Sequence, residues 1–247
     1  VIWFKNKKTP KVEFVNETPG VAELMPLTPA KEYRHPWVER AVRDFAKVRE
    51  DPNWNHRKLL HTARCPGIFS LQRHGWIVRT WQDVVITTKK EDNVNFSWLC
   101  ARNQEYVSHH FPHQMADFWE NWPEDTLRSV IKINTGWRCV VPEGYYLYEM
   151  PLPLYEEQRF TTIPGYFSRE AGPAAMNVQL LWHVMDGETL IKAGTPIAQY
   201  ILVPKEQPEM LCRDADERKD KLLLSRLYDE SKFVKNYNEI KKLLGKR

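Results

Sequence analysis

Apolar and polar positions alternate most clearly between residues 76 and 204 of this chain. The run WIVRTWQDVVITT (76–88) is dense in aromatic and β-branched residues and predicts one or two strands. KKEDN (89–93) reads as a turn, and VNFSWLC (94–100) alternates as a further strand. From Leu127 the signal strengthens, with SVIKINT, WRCVVP, YYLYEMPL, RFTTIPGYFSRE, MNVQLLWHV and LIKAGTPIAQYILVP following in turn. PEG, AGPAA and MDGE separate several of these runs. Eight prolines lie from Pro142 to Pro208, several at apparent strand ends, where a missing N–H removes no ladder bond. Short runs punctuated by Gly and Pro indicate a mainly β fold, of β-clip, barrel or sandwich-like form.

Helical spacing appears twice. Pro36 suits a first helical position, and Val38, Ala41, Val42, Phe45 and Val48 recur at helical intervals before Asp51-Pro52 ends the run. Leu223, Leu227, Val234, Tyr237, Ile240 and Leu244 form a second stripe, with Asp214–Arg218 and Glu217–Lys221 as i,i+4 pairs. Residues 1–35 read as an extended arm, because VIWF and VEFV are short and ETPG and PLTP break any longer element. The expected layout is an N-terminal arm (1–35), a mixed α/β region (36–126) packed on the main module, a β-rich module (127–208) and a C-terminal helical segment (209–247). The stretch 103–125 reads as loop plus a short helix.

Composition narrows this picture. Of 247 residues, 42% are hydrophobic and 28% charged, as in folded rather than disordered chains. Ten Trp, ten Tyr and ten Phe suit a β core or a subunit interface. No apolar run approaches the ~20 residues that span a bilayer, and VIWFKNKKTPK is too short and wrongly charged for a signal peptide. A soluble protein without membrane association is expected, cytoplasmic, or in the virion if encoded by a phage. Cys65, Cys100, Cys139 and Cys212 lack CxxC spacing, so buried free thiols are expected. The net charge of +4 is concentrated at the ends, where Lys5, Lys7, Lys8 and Lys11 precede the basic tail. In that tail the charges alternate with acids, as on a solvated helix, and nucleic acid is not an expected partner.

Candidate chemistry is thin. His109 and His113, with Asp117, would share a face of a helix at metal-like spacing, although Pro112 opposes a continuous helix there. A divalent metal is the one cofactor class these residues raise, and no other cofactor is expected. There is no G-x-S-x-G, phosphate-cradling glycine loop or H-E-x-x-H. Glu143, Glu149, Glu156, Glu157, Glu170 and Asp186 are the acids within the β-rich region considered for proton transfer.

VVPEGYYLYEMP, IPGYFSRE, NVQLLWHV and ETLIKAGTPIAQYILVP together resemble the β-clip module of the trimeric dUTPase and dCTP deaminase superfamily. The most specific piece is Gly194-Thr195-Pro196-Ile197-Ala198-Gln199-Tyr200, and the resemblance covers about residues 127–205. Members of that superfamily carry an acidic residue soon after the central glycine, whereas Tyr166, Phe167 and Ser168 follow Gly165 here and Glu170 is the first acid. Their serine-rich phosphate-binding strand has no counterpart after Tyr148. The resemblance therefore implies the fold and its self-association rather than nucleotide hydrolysis. In overall style the chain also resembles uncharacterised β-rich proteins of tailed bacteriophages.

Two functions follow as expectations. The first is a non-enzymatic, self-associating β protein, a homo-oligomer or one subunit of a larger assembly, structural or accessory in a bacteriophage. The second is an enzyme with a small-molecule pocket in the β module, nucleotide-related or dependent on a His-bound metal. In that case Arg169 would pair an anion, Glu170 would act as base, Gln179 and Gln199 would read an amide-like edge, and His183 would join the site.

Overall fold

A computed structural model of the chain describes residues 9–51, 66–115, 121–172 and 174–216. Along the chain these form β1 (Glu13–Asn16), α1 (Val21–Leu24), β2 (Thr28–Pro29), α2 (Pro36–Glu50), α3 (Pro66–Gln72), β3 (Trp76–Arg79), β4 (Val84–Lys89) and β5 (Asp92–Cys100). Then follow β6 (Val107–His110), β7 (Val130–Val140), β8 (Tyr145–Met150), β9 (Phe160–Thr162), β10 (Gly165–Ser168), β11 (Ala174–Trp182), β12 (Gly187–Ile191) and β13 (Pro196–Pro204). The fold is mainly β, and every strand pairing is antiparallel.

Three sheets organise these strands. The first runs β1-β7-β11-β9, with β6 sharing the edge of β7 that also takes β1. The second runs β10-β8-β13-β3-β2, and the third β12-β4-β5. Strands before and after residue 126 therefore share all three sheets. Alternation decides which side chains go inward. Leu147 and Glu149 of β8, Val84 and Ile86 of β4, and Ile131, Ile133 and Cys139 of β7 are buried, while their sequence neighbours lie nearer solvent on at least one side. One core cluster joins Val78, Leu147, Tyr200, Trp182, Met176 and Ile191 from all three sheets.

The chain divides into two compact units, Val1–His35 with Ser70–Glu206, and Pro36–Phe69 with Gln207–Arg247. All three sheets belong to the first. The second holds α2, which begins at Pro36 as its sequence predicts; Val38, Ala41, Phe45 and Val48 are half-buried along one stripe, and Val42 is exposed.

Several expectations need correction. SVIKINT and WRCVVP are one continuous strand, β7, because Gly136 takes a left-handed conformation (φ 74°) and β11 answers with a register shift between Ala175 and Asn177. The stretch 103–125 contributes β6 and two short 3-10 turns among its described residues. No helix forms over 209–216, since the apolar stripe behind that expectation starts only at Leu223; residues 217–247 lie outside the described residues. Cys100 and Cys139 are buried free thiols as expected, but Cys212 is exposed, and Cys65 lies outside the described residues. Among the described residues no helix is long and apolar enough to cross a membrane.

Candidate functional site

The sequence YYLYEM of β8 sends alternate residues to opposite faces. Tyr145, Leu147 and Glu149 turn to the core, which leaves Tyr146, Tyr148 and Met150 on the outer face of the second sheet. On the neighbouring edge strand β10, Tyr166 stands directly opposite Tyr148 and is 64% exposed. Its ring centroid lies 5.3 Å from that of Tyr146 and 4.9 Å from that of Tyr148. On the other side, β13 places Val203 opposite Tyr146 and Ile201 opposite Tyr148. The result is an aromatic platform on β8 and β10, bordered by the half-buried Val203, with Ile201 buried beneath it.

Ion pairs rim this platform. The Lys205 ammonium sits 4.9 Å above the Tyr146 ring and donates to both oxygens of the Glu170 carboxylate. Arg169 faces Glu143 at 3.5 Å, with both side chains exposed. Lys205, assisted by the main-chain N–H of Glu170 and by Ser168, pulls the Glu170 carboxyl down to about 2. In this arrangement both carboxylate oxygens of Glu170 are engaged by Lys205.

The other sequence candidates have partners of their own. Gln199 is fully buried on β13, and its amide nitrogen donates to the carbonyls of Leu71 (2.8 Å) and His74 (2.7 Å), holding that turn against the sheet. Gln179 is half-buried on β11 opposite Lys132, and its main-chain carbonyl accepts from Ile163. His183 follows β11 with Nδ1 at 3.0 Å from Thr126 Oγ1 and Nε2 at 2.8 Å from Thr161 Oγ1. In the neutral imidazole one of these threonines donates to the ring and the other accepts from it, the order depending on the tautomer, and burial lowers the pKa of the ring. This histidine lines an open cleft of about 580 Å³ together with Lys90, Glu91, Glu124 and Asp125. Among the described hydrogen bonds and ion pairs, no two of Arg169, Glu170, Gln179, His183 and Gln199 are partners.

His109 and His113 do not share a helix. His109 lies on β6, its ring edge-on to Phe96 (5.4 Å), Trp98 (5.9 Å) and Phe111 (4.4 Å), whereas His113 belongs to a 3-10 turn and stacks on Phe111. Pro112 is the physical reason: it starts that turn and ends the strand before it. No group of three His, Cys, Asp or Glu side chains suited to a metal occurs among the described residues, and Asp117 lies outside them.

Tyr146, Tyr148, Tyr166 and Lys205 were not singled out from sequence. The usable signal was parity, because a Tyr-x-Tyr pattern around the core-facing Leu147 puts both rings on the opposite face of the sheet. No family model matches the sequence, and neither does any curated protein.

Proposed function

We propose that this protein is a non-enzymatic, self-associating β-rich subunit, and that the tyrosine platform of the second sheet is a protein–protein contact. The observation that carries this reading is the ring-to-ring cluster of Tyr146, Tyr148 and Tyr166 on an outward sheet face ending in the edge strand β10. Tyrosine is enriched in interface cores because it supplies a large rigid contact with a hydroxyl at its tip. The neighbouring charges already neutralise one another, so the platform suits a partner surface that is itself aromatic and uncharged, such as its own copy. The resemblance in style to bacteriophage β proteins supports a structural or accessory place in an assembly.

Native mass spectrometry and sedimentation velocity test the reading. The expected result is a discrete oligomer, with Tyr166→Ser weakening the contact by about thirtyfold, the size typical of an interface hot spot. Tyr166 sits on an edge strand and is largely in solvent, so this change leaves the fold intact. A wild-type chain that stays monomeric throughout the micromolar range overturns the proposal.

A further inference from the structure

Between β8 and β9 the chain makes a tight turn, with the N–H of Tyr155 bonded to the carbonyl of Leu152. Pro153 occupies the first central position and Leu154 the second, where its φ is 53°. Proline followed by a residue of positive φ is the signature of a type II turn, whose second central position ordinarily falls to glycine or asparagine. Leu154 is the one described non-glycine residue with positive φ, and its side chain is 56% exposed. A leucine here carries backbone strain that glycine would not, and its side chain is given to solvent.

The turn is also held rigid. Leu152 is buried with Ala30 and Ile77, Tyr155 packs on the same cluster, and the Gln72 amide donates to the Pro153 carbonyl at 3.2 Å. A strained, exposed apolar side chain on a rigid mount is preorganised to insert into a partner. Glu156, exposed two residues on, gives this projection an acidic flank.

A complementary depression lies on the same unit. A cavity of about 400 Å³ has apolar walls from Pro29, Trp76 and Leu202, and its rim carries the exposed cations Lys31 and Arg73. Arg73 immediately follows Gln72, whose side chain bonds the Leu154 turn, so projection and depression are borne by neighbouring segments. Patches that are complementary and close together on one subunit suit a two-fold contact, in which each copy inserts its projection into the other.

We infer that Leu154 is an interaction knob that enters the Trp76–Leu202 depression of a second copy of this chain, with Glu156 meeting Lys31 and Arg73. This rests on the self-association reading but uses a surface separate from the tyrosine platform. The test measures subunit count and dissociation constants for the wild type, Leu154→Gly, Leu154→Asn, Arg73→Glu and the double variant Leu154→Gly/Tyr166→Ser. Both Leu154 variants tolerate positive φ while removing the apolar knob, so each is expected to weaken one association step at least tenfold without lowering the thermal midpoint measured at monomeric dilution. Arg73→Glu weakens the same step, as does high salt, and the double variant is a monomer. A monomeric wild type defeats self-association itself. An associating wild type whose subunit count and affinity are matched by both Leu154 variants overturns the knob while leaving self-association standing.

Discussion

Glu149 is where burial changes an ordinary carboxylate most. It is 4% exposed, accepts the hydroxyl of the fully buried Tyr200, and is pushed up to about 7 by loss of solvent, which the tyrosine bond only partly offsets. Between about pH 4.5 and 7 the folded state keeps a proton that the unfolded chain has already released. Stability therefore falls as pH rises through that window, by roughly 3 kcal/mol in all, and this contribution flattens above it. His35 and His183 act in the opposite sense, because burial lowers both and their charging favours the unfolded chain as pH drops below about 6.5. The difference between wild type and Glu149→Gln isolates the carboxylate: urea midpoints at pH 5 and pH 8 should diverge for the wild type and move much less for the variant. Equal pH slopes in the two proteins would show that the carboxyl is not held protonated in the core. Leu154→Gly is expected to gain about 1 kcal/mol in the same assay under monomeric conditions, by relief of its left-handed backbone. The parity of YYLYEM places Glu149 on the face of Leu147, so its burial was legible in sequence. Its partner was not, because nothing in the local pattern brings Tyr200 from 51 residues away.

At the scale of elements, periodicity recovers most of what periodicity encodes. The alternation in VVITT and VNFSWLC yields β4 and β5, and the apolar stripe after Pro36 yields α2. β6 escaped because its VSHH ends in two histidines and carries no alternation of strongly apolar residues. Strand order is less accessible than strand existence, since a period of two tells a residue which face it occupies and not which neighbour it pairs with. The β3–β13 pairing shows how narrow that choice is. Gly75, with φ at 75°, brings its backbone so close to Tyr200 that an added Cβ would lie 1.8 Å from the Tyr200 carbonyl oxygen. Gly75→Ala must therefore move one strand away from the other, and a loss of about 4 kcal/mol or more is expected in urea unfolding. A midpoint within experimental error of the wild type would mean that the strands do not approach at this point.

Across the whole molecule, the cysteines report on how completely the core closes. Cys139 is buried, and burial pushes its thiol up to about 11; Cys100 is raised for the same reason, while Cys212 is exposed. In a Cys65→Ser background, a disulfide reagent should modify Cys212 at once and the two core thiols only as fast as the first unit opens. Modification of Cys139 at the rate of Cys212 would contradict a closed core. The same core draws on strands from far along the chain, and β1 is the extreme case, with Glu13 opposite Val140. A ribosome completes β1 well before its partner strand, which emerges more than a hundred residues later. At translation rates of about 5–20 residues per second, that is a wait of roughly 6 to 25 s. For that interval the backbone of β1 is without the strand it pairs with, while Phe14 has only Trp76, the ring it packs against edge-on, to meet before β7 is made.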